Sequence, residues 1–331
     1  MNEISTKIKH ALVVYFPGSG RAGDLNKNMG RIIRRLTEEG GYCVSSMVLT
    51  DANALKEMVA ETRAELIVSV GGDGTTRRVL EAVVQSGTTV PVGIIPLGTG
   101  NLLAKSLGLV AKGTIDKVEN AMDIILNGRT AHVDLGDANG NIFAMDVGVG
   151  PLANAVIAPK PGQKSRWKMF AYAKPFFICM HKKPVQFQLE IDGGQPQTVE
   201  ASGIFVTNER EMGLTTEPGD LTSLRDGSMY VYIVNPHGFG DWMHVAAATA
   251  KAWFAGASMD YMPYKRLIAK KTVRIDAEKL AGYMMDGDRC SHAPLEVKLL
   301  PAAVTLFVPQ WARKGAPIRV PNAEAARSKA A

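Results

Sequence analysis

Cysteine is scarce in this chain of 331 residues, and the three that occur, Cys43, Cys179 and Cys290, show no paired spacing. An odd, scattered set argues against a disulfide framework and against a zinc site, and it favours a reducing compartment. The six histidines form no metal-ligand motif. No secretory signal is evident in the polar first ten residues, so we expect a cytoplasmic protein.

Long uninterrupted apolar runs are also missing. The stretch 82–104 carries no charged residue over a length that could cross a bilayer, but it contains two prolines and four glycines. This composition favours a helix end, a loop, a buried strand and a turn over a membrane span. Any membrane contact is therefore expected to be peripheral.

The net charge is +6, and the sequence pI is near 9.1. A mildly basic chain suits anionic partners such as nucleotide phosphates, an acidic membrane surface or nucleic acid. Because no nucleic-acid recognition motif and no aromatic–basic stacking array is present, we expect no nucleic-acid partner.

Strand-like apolar runs alternate with helical patterns in the first part of the chain. The first such run is 11–15, and the last helical pattern is 114–126. This alternation predicts parallel βαβ units, which bind ligands at the carboxyl ends of their strands. After Gly128, strand-like segments follow one another through short turns, as in antiparallel sheets. We therefore expect an α/β domain with a parallel sheet over 1–128 and a mostly antiparallel β-sandwich over 129–312. The basic segment 313–331 is predicted to be a flexible tail.

Two of the apolar runs end in a glycine-rich turn that is followed by a helical pattern. The run 66–70 leads into Gly-Gly-Asp-Gly-Thr at 71–75, and the run 92–95 leads into Pro-Leu-Gly-Thr-Gly-Asn at 96–101. A strand, a tight loop with exposed amides and a helix N-terminus form a phosphate site in α/β folds. Glycine lets the backbone approach phosphate closely, and the carboxylate of Asp73 indicates a cation or a sugar hydroxyl nearby.

The two turns together, in this order, resemble the diacylglycerol kinase catalytic-domain superfamily, which includes the sphingosine kinases and the soluble bacterial lipid kinases. The resemblance implies an ATP-dependent lipid kinase that uses Mg²⁺. Such an enzyme transfers the γ-phosphoryl group to a hydroxyl of diacylglycerol, a sphingoid base or a related lipid. It further implies that 1–128 binds the nucleotide, while 129–312 binds the lipid and carries the catalytic aspartate. The Gly-Thr-Gly-Asn turn is closer to the sphingosine-kinase-like branch.

The same resemblance implies roles for individual residues. Asp286 of the Asp-Gly-Asp segment 286–288 is the candidate general base, and Asp288 replaces the family's glutamate; alone, the segment predicts an ordinary hairpin turn. Asp73 and Asp134 are candidates for a Mg²⁺–water network. Asp226 is the candidate ligand of a structural Mg²⁺, with an ordinary turn as the alternative. The nucleotide site is assigned to Ser19, Gly20, Gly71, Gly72, Asp73, Gly74, Thr75, Gly98, Thr99 and Asn101.

The chain also departs from the family pattern. Phe16 replaces the usual asparagine at the end of the first strand, and Leu102 replaces an aspartate found in one variant of the second turn. Met145 stands where many relatives have asparagine. Arg78 replaces the glutamate after the first turn; with Arg77 it either contacts phosphate or is solvated.

A lipid acceptor requires contact with a membrane. Segment 160–170 combines four cations with aromatic and sulfur side chains, which is typical of a peripheral contact with an anionic surface. The alternative is a helix whose apolar side packs on the sheet. Segment 242–254 is predicted to be mainly core, with an acyl pocket as the alternative. A homodimer is one assembly compatible with the sequence.

Two other functions compete with the lipid kinase. NAD kinases also carry a Gly-Gly-Asp-Gly turn, although the second turn fits lipid kinases better. A nucleotide-regulated lipid-binding protein without turnover is suggested by Arg78, Met145 and Asp288. Phosphorylation of NAD would indicate the first, and ATP binding without consumption would indicate the second.

Overall fold

The computed structural model describes residues 9–18, 22–110, 116–156, 182–210, 220–238, 240–243, 264–278, 282–290 and 294–312. Its first part alternates strands and helices, as the sequence predicts. The elements are β1 (Lys9–Tyr15), α1 (Ala22–Glu38), β2 (Tyr42–Val48), α2 (Ala52–Glu61), β3 (Leu66–Gly71), α3 (Asp73–Ser86), β4 (Val92–Pro96), α4 (Leu102–Ser106) and α5 (Lys117–Asn127).

The first four strands form a parallel sheet in the order β2-β1-β3-β4. All residues of β3 and β4 are buried, because helices cover both faces of a parallel sheet. Helix α1 buries Leu25, Met29, Ile32 and Leu36, which recur at helical spacing. Helix α3 ends at Gly87, which adopts the left-handed conformation that favours glycine at a helix C-terminus.

The second part is built mainly from strands. They are β5 (Arg129–Ala138), β6 (Asn141–Phe143), β7 (Asp146–Val149), β8 (Val185–Ile191), β9 (Gln197–Ala201), β10 (Gly203–Thr207), β11 (Met229–Val234), β12 (Tyr264–Ala269), β13 (Thr272–Asp276), β14 (Tyr283–Met285), β15 (Asp288–Cys290) and β16 (Leu295–Val308). Helix α6 (Pro151–Val156) and a short 3₁₀ helix (Ser223–Arg225) interrupt them.

Within the described ranges, these strands form two sheets that face each other. An antiparallel sheet has the order β12-β11-β10-β7-β14-β15. The other continues the parallel sheet in the order β2-β1-β3-β4-β16-β13-β8-β9, with β5 and β6 attached to β16. One buried cluster joins Phe187 and Val297 of the second sheet with Val147 and Val231 of the first. The expected fold, an α/β domain followed by an antiparallel sandwich, is confirmed.

Strand β16 joins the two parts of the molecule. Its Leu306 lies beside Val92 of β4 in parallel register, while its first half pairs antiparallel with β13. A hydrophobic cluster shared by both parts contains Val133 and Leu306 together with Ile67 and Leu80. The boundary predicted at 128/129 falls between α5 and β5, but the sheet and the core continue across it.

A buried carboxylate holds the bend in β16. The register shifts between Leu300 and Val304, and Ala302 in the bend has a φ of 50°. The Ala302 N–H donates to Asp134 Oδ1 at 2.7 Å, and the Gly227 N–H donates to Oδ2 at 2.9 Å. Asp134 is fully buried, and burial raises the pKa of its carboxyl group.

Several predictions fall on parts of the chain that the structure does not describe. They concern Ser19 and Gly20, segment 160–170, most of 242–254 and the tail 313–331. Among the helices that are described, none is both long enough and apolar enough to cross a membrane.

Replacing Asp134 by asparagine is expected to destabilise the protein. The amide would place an N–H₂ group opposite one backbone N–H and leave that donor unsatisfied, a loss of about 1–3 kcal/mol. The exposed Glu296→Gln change on β16 is the control and should stay within about 0.5 kcal/mol of wild type. Urea unfolding of the three proteins measures the difference, and equal midpoints would contradict the assigned role.

Candidate active site

The two glycine-rich turns lie side by side at the carboxyl ends of β3 and β4. The Leu97 N–H donates to the Gly71 carbonyl at 2.8 Å, which ties the second turn to the first. A Cβ atom on Gly98 would lie only 2.5 Å from the Gly72 Cα atom. Only glycine fits this contact, so the two loops form one continuous wall.

Asp73, the first residue of α3, fixes the second turn through its carboxylate. The Asn101 N–H donates to Oδ2 at 2.7 Å, and the Leu102 N–H donates to Oδ1 at 2.6 Å. A Cβ atom on Gly100 would lie 2.6 Å from Oδ2, so this glycine also permits the contact. Burial raises the pKa of Asp73, and these two N–H groups oppose the shift.

Asn101 closes the second turn from within. It has a φ of 52°, in the left-handed region that asparagine tolerates better than most residues, and its side chain is buried. Its Nδ2 donates to the Gly98 carbonyl at 2.8 Å and to the Pro96 carbonyl at 3.4 Å. Its Oδ1 is buried and accepts no hydrogen bond within the described residues.

The other residues of the predicted nucleotide site have different surroundings. Gly74 is exposed and has nothing within 4 Å of its would-be Cβ, so a ligand can approach the first turn of α3 there. The Thr75 side chain is buried against Gly71 rather than presented to a ligand. Thr99 is exposed at the tip of the second turn.

Asp286 reaches this wall from the second part of the chain. It lies in the two-residue turn between β14 and β15, where Met285 pairs with Asp288. Asp286 and Gly287 have φ values of 47° and 87°, as in a type I′ turn, for which Asp-Gly is a favoured sequence. The candidate catalytic residue therefore lies within an ordinary hairpin turn.

Backbone amides of the neighbouring strand hold the Asp286 carboxylate. Oδ1 accepts the N–H groups of Met145 and Asp146 at 3.0 and 3.1 Å, and Oδ2 accepts that of Ala144 at 3.0 Å. Each carboxylate oxygen accepts about two hydrogen bonds, so Oδ1 is saturated and Oδ2 keeps a free acceptor position. Burial raises the pKa of Asp286 above its ordinary value, although these amides and Arg77 oppose the shift.

One cleft brings the two parts together. It is lined by residues of both turns, by the first turn of α3 and by the Asp286 carboxylate with part of its amide cradle; the polar or charged members are Asp73, Thr76, Arg77, Asn101 and Asp286. Asp73 and Asp286, which are far apart in sequence, therefore face the same space. Such an arrangement can hold a polyphosphate on one side and a proton acceptor on the other.

Two further residues of the site, Asp146 and Asn208, carry no motif in the sequence. Burial and the nearby charges of Asp286 and Glu209 raise the pKa of Asp146 to about 7. Asn208 is fully buried, and its Nδ2 donates to the carbonyls of Asp134 and Ala144, which steadies the strand that holds Asp286. Asp146 and Asn208 could have been suspected only as isolated polar residues in apolar, strand-like runs.

Three predicted residues lie away from this cleft. Asp288 follows the turn, but its carboxylate is 65% exposed and 3.8 Å from Arg77. Asp134 accepts the backbone amides that hold the β16 bend. Asp226 lies close enough to Asp134 to raise its pKa further, and the Tyr230 hydroxyl donates to Asp226 Oδ2.

A divalent cation fits parts of this arrangement. No cluster of three or more His, Cys, Asp or Glu side chains suited to a metal occurs within the described residues. Magnesium is often held by one or two carboxylates plus substrate phosphates, and Asp73 presents such a carboxylate at the cleft. The candidate structural site is at Asp226. Its Oδ1 is buried and has no hydrogen-bond partner in the described part of the chain, so this oxygen could serve as one metal ligand.

Comparison with known proteins gives a consistent result. The family model of the diacylglycerol kinase catalytic domain matches residues 10–138. A diacylglycerol kinase of Bacillus subtilis (strain 168) is 26% identical over 72% of this chain and 78% of its own length. One of Staphylococcus aureus (strain bovine RF122 / ET3-1) is 23% identical over 91% of this chain and 93% of its own.

A solved structure shares the fold. The crystal structure of a diacylglycerol kinase from Bacillus anthracis str. Sterne superposes with a TM-score of 0.66 at 20% identity, covering 93% of this chain and all of that one. The family model matches residues 10–138, and the relatives and the common fold extend the similarity to diacylglycerol kinases over most of the chain.

Proposed function

We propose that this protein is an ATP-dependent lipid kinase that phosphorylates a hydroxyl of diacylglycerol, a sphingoid base or a related lipid. The observation that carries the proposal is the cleft in which Asp286 faces the two glycine-rich turns. Phosphoryl transfer needs mainly positioning and charge neutralisation, and this cleft offers both with a carboxylate for the acceptor proton. The relatives named diacylglycerol kinase support the same class of reaction.

The turns would hold the nucleotide. Gly72 and Gly98 allow the two turns to pack against each other, and exposed Gly74 leaves the N-terminus of α3 open to phosphate. Magnesium, when bound, would neutralise phosphate charge, and Asp73 is the residue in the cleft suited to hold it. Asp226 would hold a second, structural ion away from the reaction.

The lipid hydroxyl would meet Asp286 at Oδ2, the carboxylate oxygen with a free acceptor position. As the hydroxyl oxygen bonds to the γ-phosphorus, the bond from that phosphorus to the β,γ-bridging oxygen breaks, and ADP leaves with the electron pair. The hydroxyl proton passes to Oδ2. A pKa raised by burial makes Asp286 a better proton acceptor than an ordinary aspartate.

The acceptor would come from a membrane. The basic and aromatic segment 160–170 is our candidate for peripheral contact with anionic lipid, in a cytoplasmic protein. Phosphorylation of soluble NAD remains the alternative activity, and an assay that offers both acceptors separates them.

Replacing Asp286 by asparagine should lower kcat about 10²- to 10⁴-fold, since the amide cannot accept the proton. The chain offers a matched control in Asp192→Asn. Asp192 also precedes glycine in a turn with positive φ, and its carboxylate also accepts three backbone N–H groups, but it is exposed. The control should lose hydrogen bonds of the same kind and keep activity.

The measurement is transfer of label from [γ-³²P]ATP, with Mg²⁺, to a panel of lipids in mixed micelles and to NAD. Labelled lipid from wild type is the expected result. No labelled lipid across the panel would overturn the lipid kinase, and undiminished turnover by Asp286→Asn would overturn only the assigned base.

Replacing Gly98 by alanine should separate the two turns, because the new Cβ would lie 2.5 Å from the Gly72 Cα atom. A misplacement near 1 Å can cost about 10²-fold in kcat/KM, and we expect that loss with ATP as the varied substrate. Gly30→Ala on α1, where the new Cβ meets nothing within 4 Å, is the control. Similar kinetics in both variants would contradict the close contact.

The elevated pKa of Asp146 predicts a pH effect on stability. A carboxyl group whose folded pKa is about 7, above its ordinary value, stabilises the fold when protonated. That stability is present below the unfolded pKa and is lost as the pH rises through about 7. Asp146→Asn cannot ionise, so its unfolding midpoint should fall less than that of wild type between pH 5 and pH 8. Parallel pH profiles would disprove the shift.

A further inference from the structure

Arg77 occupies the cleft between the two groups to which the proposed function assigns the nucleotide and the proton. It is the fifth residue of α3, and it lines the cleft together with Asp73 and Asp286. Its side chain is only 11% exposed. A cation this well buried is normally paired through direct hydrogen bonds.

The partners of Arg77 do not meet that expectation. Its nearest carboxylate oxygens are Glu81 Oε2 at 3.6 Å and Asp288 Oδ2 at 3.8 Å, both beyond hydrogen-bond distance. Its Nε is buried and donates to no acceptor among the described residues. The guanidinium therefore retains donors in the cleft that no carboxylate of the described chain engages with bidentate geometry.

The surroundings indicate which anion these donors would bind. Beside Arg77 are the loops that would carry the nucleotide phosphates and the carboxylate that would face the acceptor hydroxyl. The anion that lies between a bound nucleotide and its acceptor is the terminal phosphoryl group. A planar guanidinium matches phosphate oxygens geometrically and stays protonated throughout the transfer.

We propose that Arg77 binds the γ-phosphoryl group of ATP and neutralises its charge during transfer to the acceptor. The inference rests on the proposed function for its donor nucleotide, but it does not depend on which acceptor is used. Its neighbour Arg78 is exposed on the same helix and would take no part. The competing role for Arg77 is an ion pair that holds the Asp286–Asp288 turn through Asp288.

Nucleotide binding separates these roles without requiring turnover. Titration calorimetry with ATP and with ADP, each with Mg²⁺, would be run on wild type, Arg77→Gln and Arg78→Gln. Loss of charged hydrogen bonds to the γ-phosphate should weaken ATP binding about 10- to 100-fold in Arg77→Gln. ADP, which lacks that phosphate, should bind within about threefold of wild type, and Arg78→Gln should bind both as wild type does.

Two further variants distinguish phosphate binding by Arg77 from its ion pair with Asp288. Arg77→Lys keeps the charge without the planar fork, and should retain ATP binding between the values of wild type and Arg77→Gln; it also serves if Arg77→Gln fails to fold. Asp288→Asn removes the ion pair alone. An ATP-selective loss in Asp288→Asn equal to that of Arg77→Gln would overturn the proposal in favour of the ion pair.

The remaining outcomes are also decisive. Equal weakening of ATP and ADP in Arg77→Gln, or no weakening of either, would overturn the role at the γ-phosphate. A wild type that binds neither nucleotide would overturn both this role and the proposed function. A wild type that binds ATP but labels no lipid would count against the proposed acceptor alone, because the comparison of ATP with ADP would still hold.

Discussion

The candidate site depends on how backbone amides hold a buried carboxylate. Asp286 and Asp192 each lie in an Asp-Gly turn with positive φ, and each carboxylate accepts three backbone N–H groups from another segment of the chain. At Asp192 burial is the largest single effect and raises the pKa, but the three N–H groups and the charge of Lys271 together outweigh it and lower the pKa. At Asp286, burial prevails and the pKa is raised. The same local motif thus has a lowered pKa at the exposed turn and a raised pKa at the buried one, where we propose that it accepts a proton.

A second carboxylate organises the opposite wall by the same means. Asp73 binds the N–H groups of Asn101 and Leu102, so the position of the second turn is set by the first residue of α3. Gly100 lacks a side chain that would meet Asp73 Oδ2, and Gly98 lacks one that would meet Gly72. Each wall is therefore a loop held by a carboxylate from elsewhere in the chain. Rigid walls of this kind hold reacting groups in place without reorganisation during the reaction.

Features that depend on local sequence could be predicted. The turns 71–75 and 96–101 follow apolar strands and precede helical patterns, and both lie at the carboxyl edge of the sheet as expected. The Asp-Gly-Asp segment indicated a hairpin, and the hairpin is present. The α/β order and the antiparallel character of the second part also follow from short-range periodicity.

Features that depend on distant pairings could not be predicted. Asp134 is paired with Gly227 and Ala302, which lie 93 and 168 residues away in the sequence. No spacing rule relates residues so far apart. The sequence suggested a Mg²⁺–water network for Asp134, whereas its carboxylate holds a strand bend; a role toward the metal stays a prediction. The elevated pKa of Asp146 likewise arises from burial and from Asp286 and Glu209, which only the fold brings near. The continuous sheet across 128/129 has the same origin, since β16 is the last strand described and lies beside β4.

Charge balance connects the two walls. Asp73 and Asp286 line the cleft, and the charges of both, with that of Glu209, act on Asp146. A nucleotide would add further negative charge, and electrostatic repulsion would oppose its binding unless cations were present. The positive charge of Lys105 opposes the rise in the pKa of Asp73, and that of Arg77 opposes the rise in the pKa of Asp286. Burial lowers the pKa of Lys105 itself. Arg77 extends from α3 toward the turn that carries Asp286, so its charge acts between the two walls.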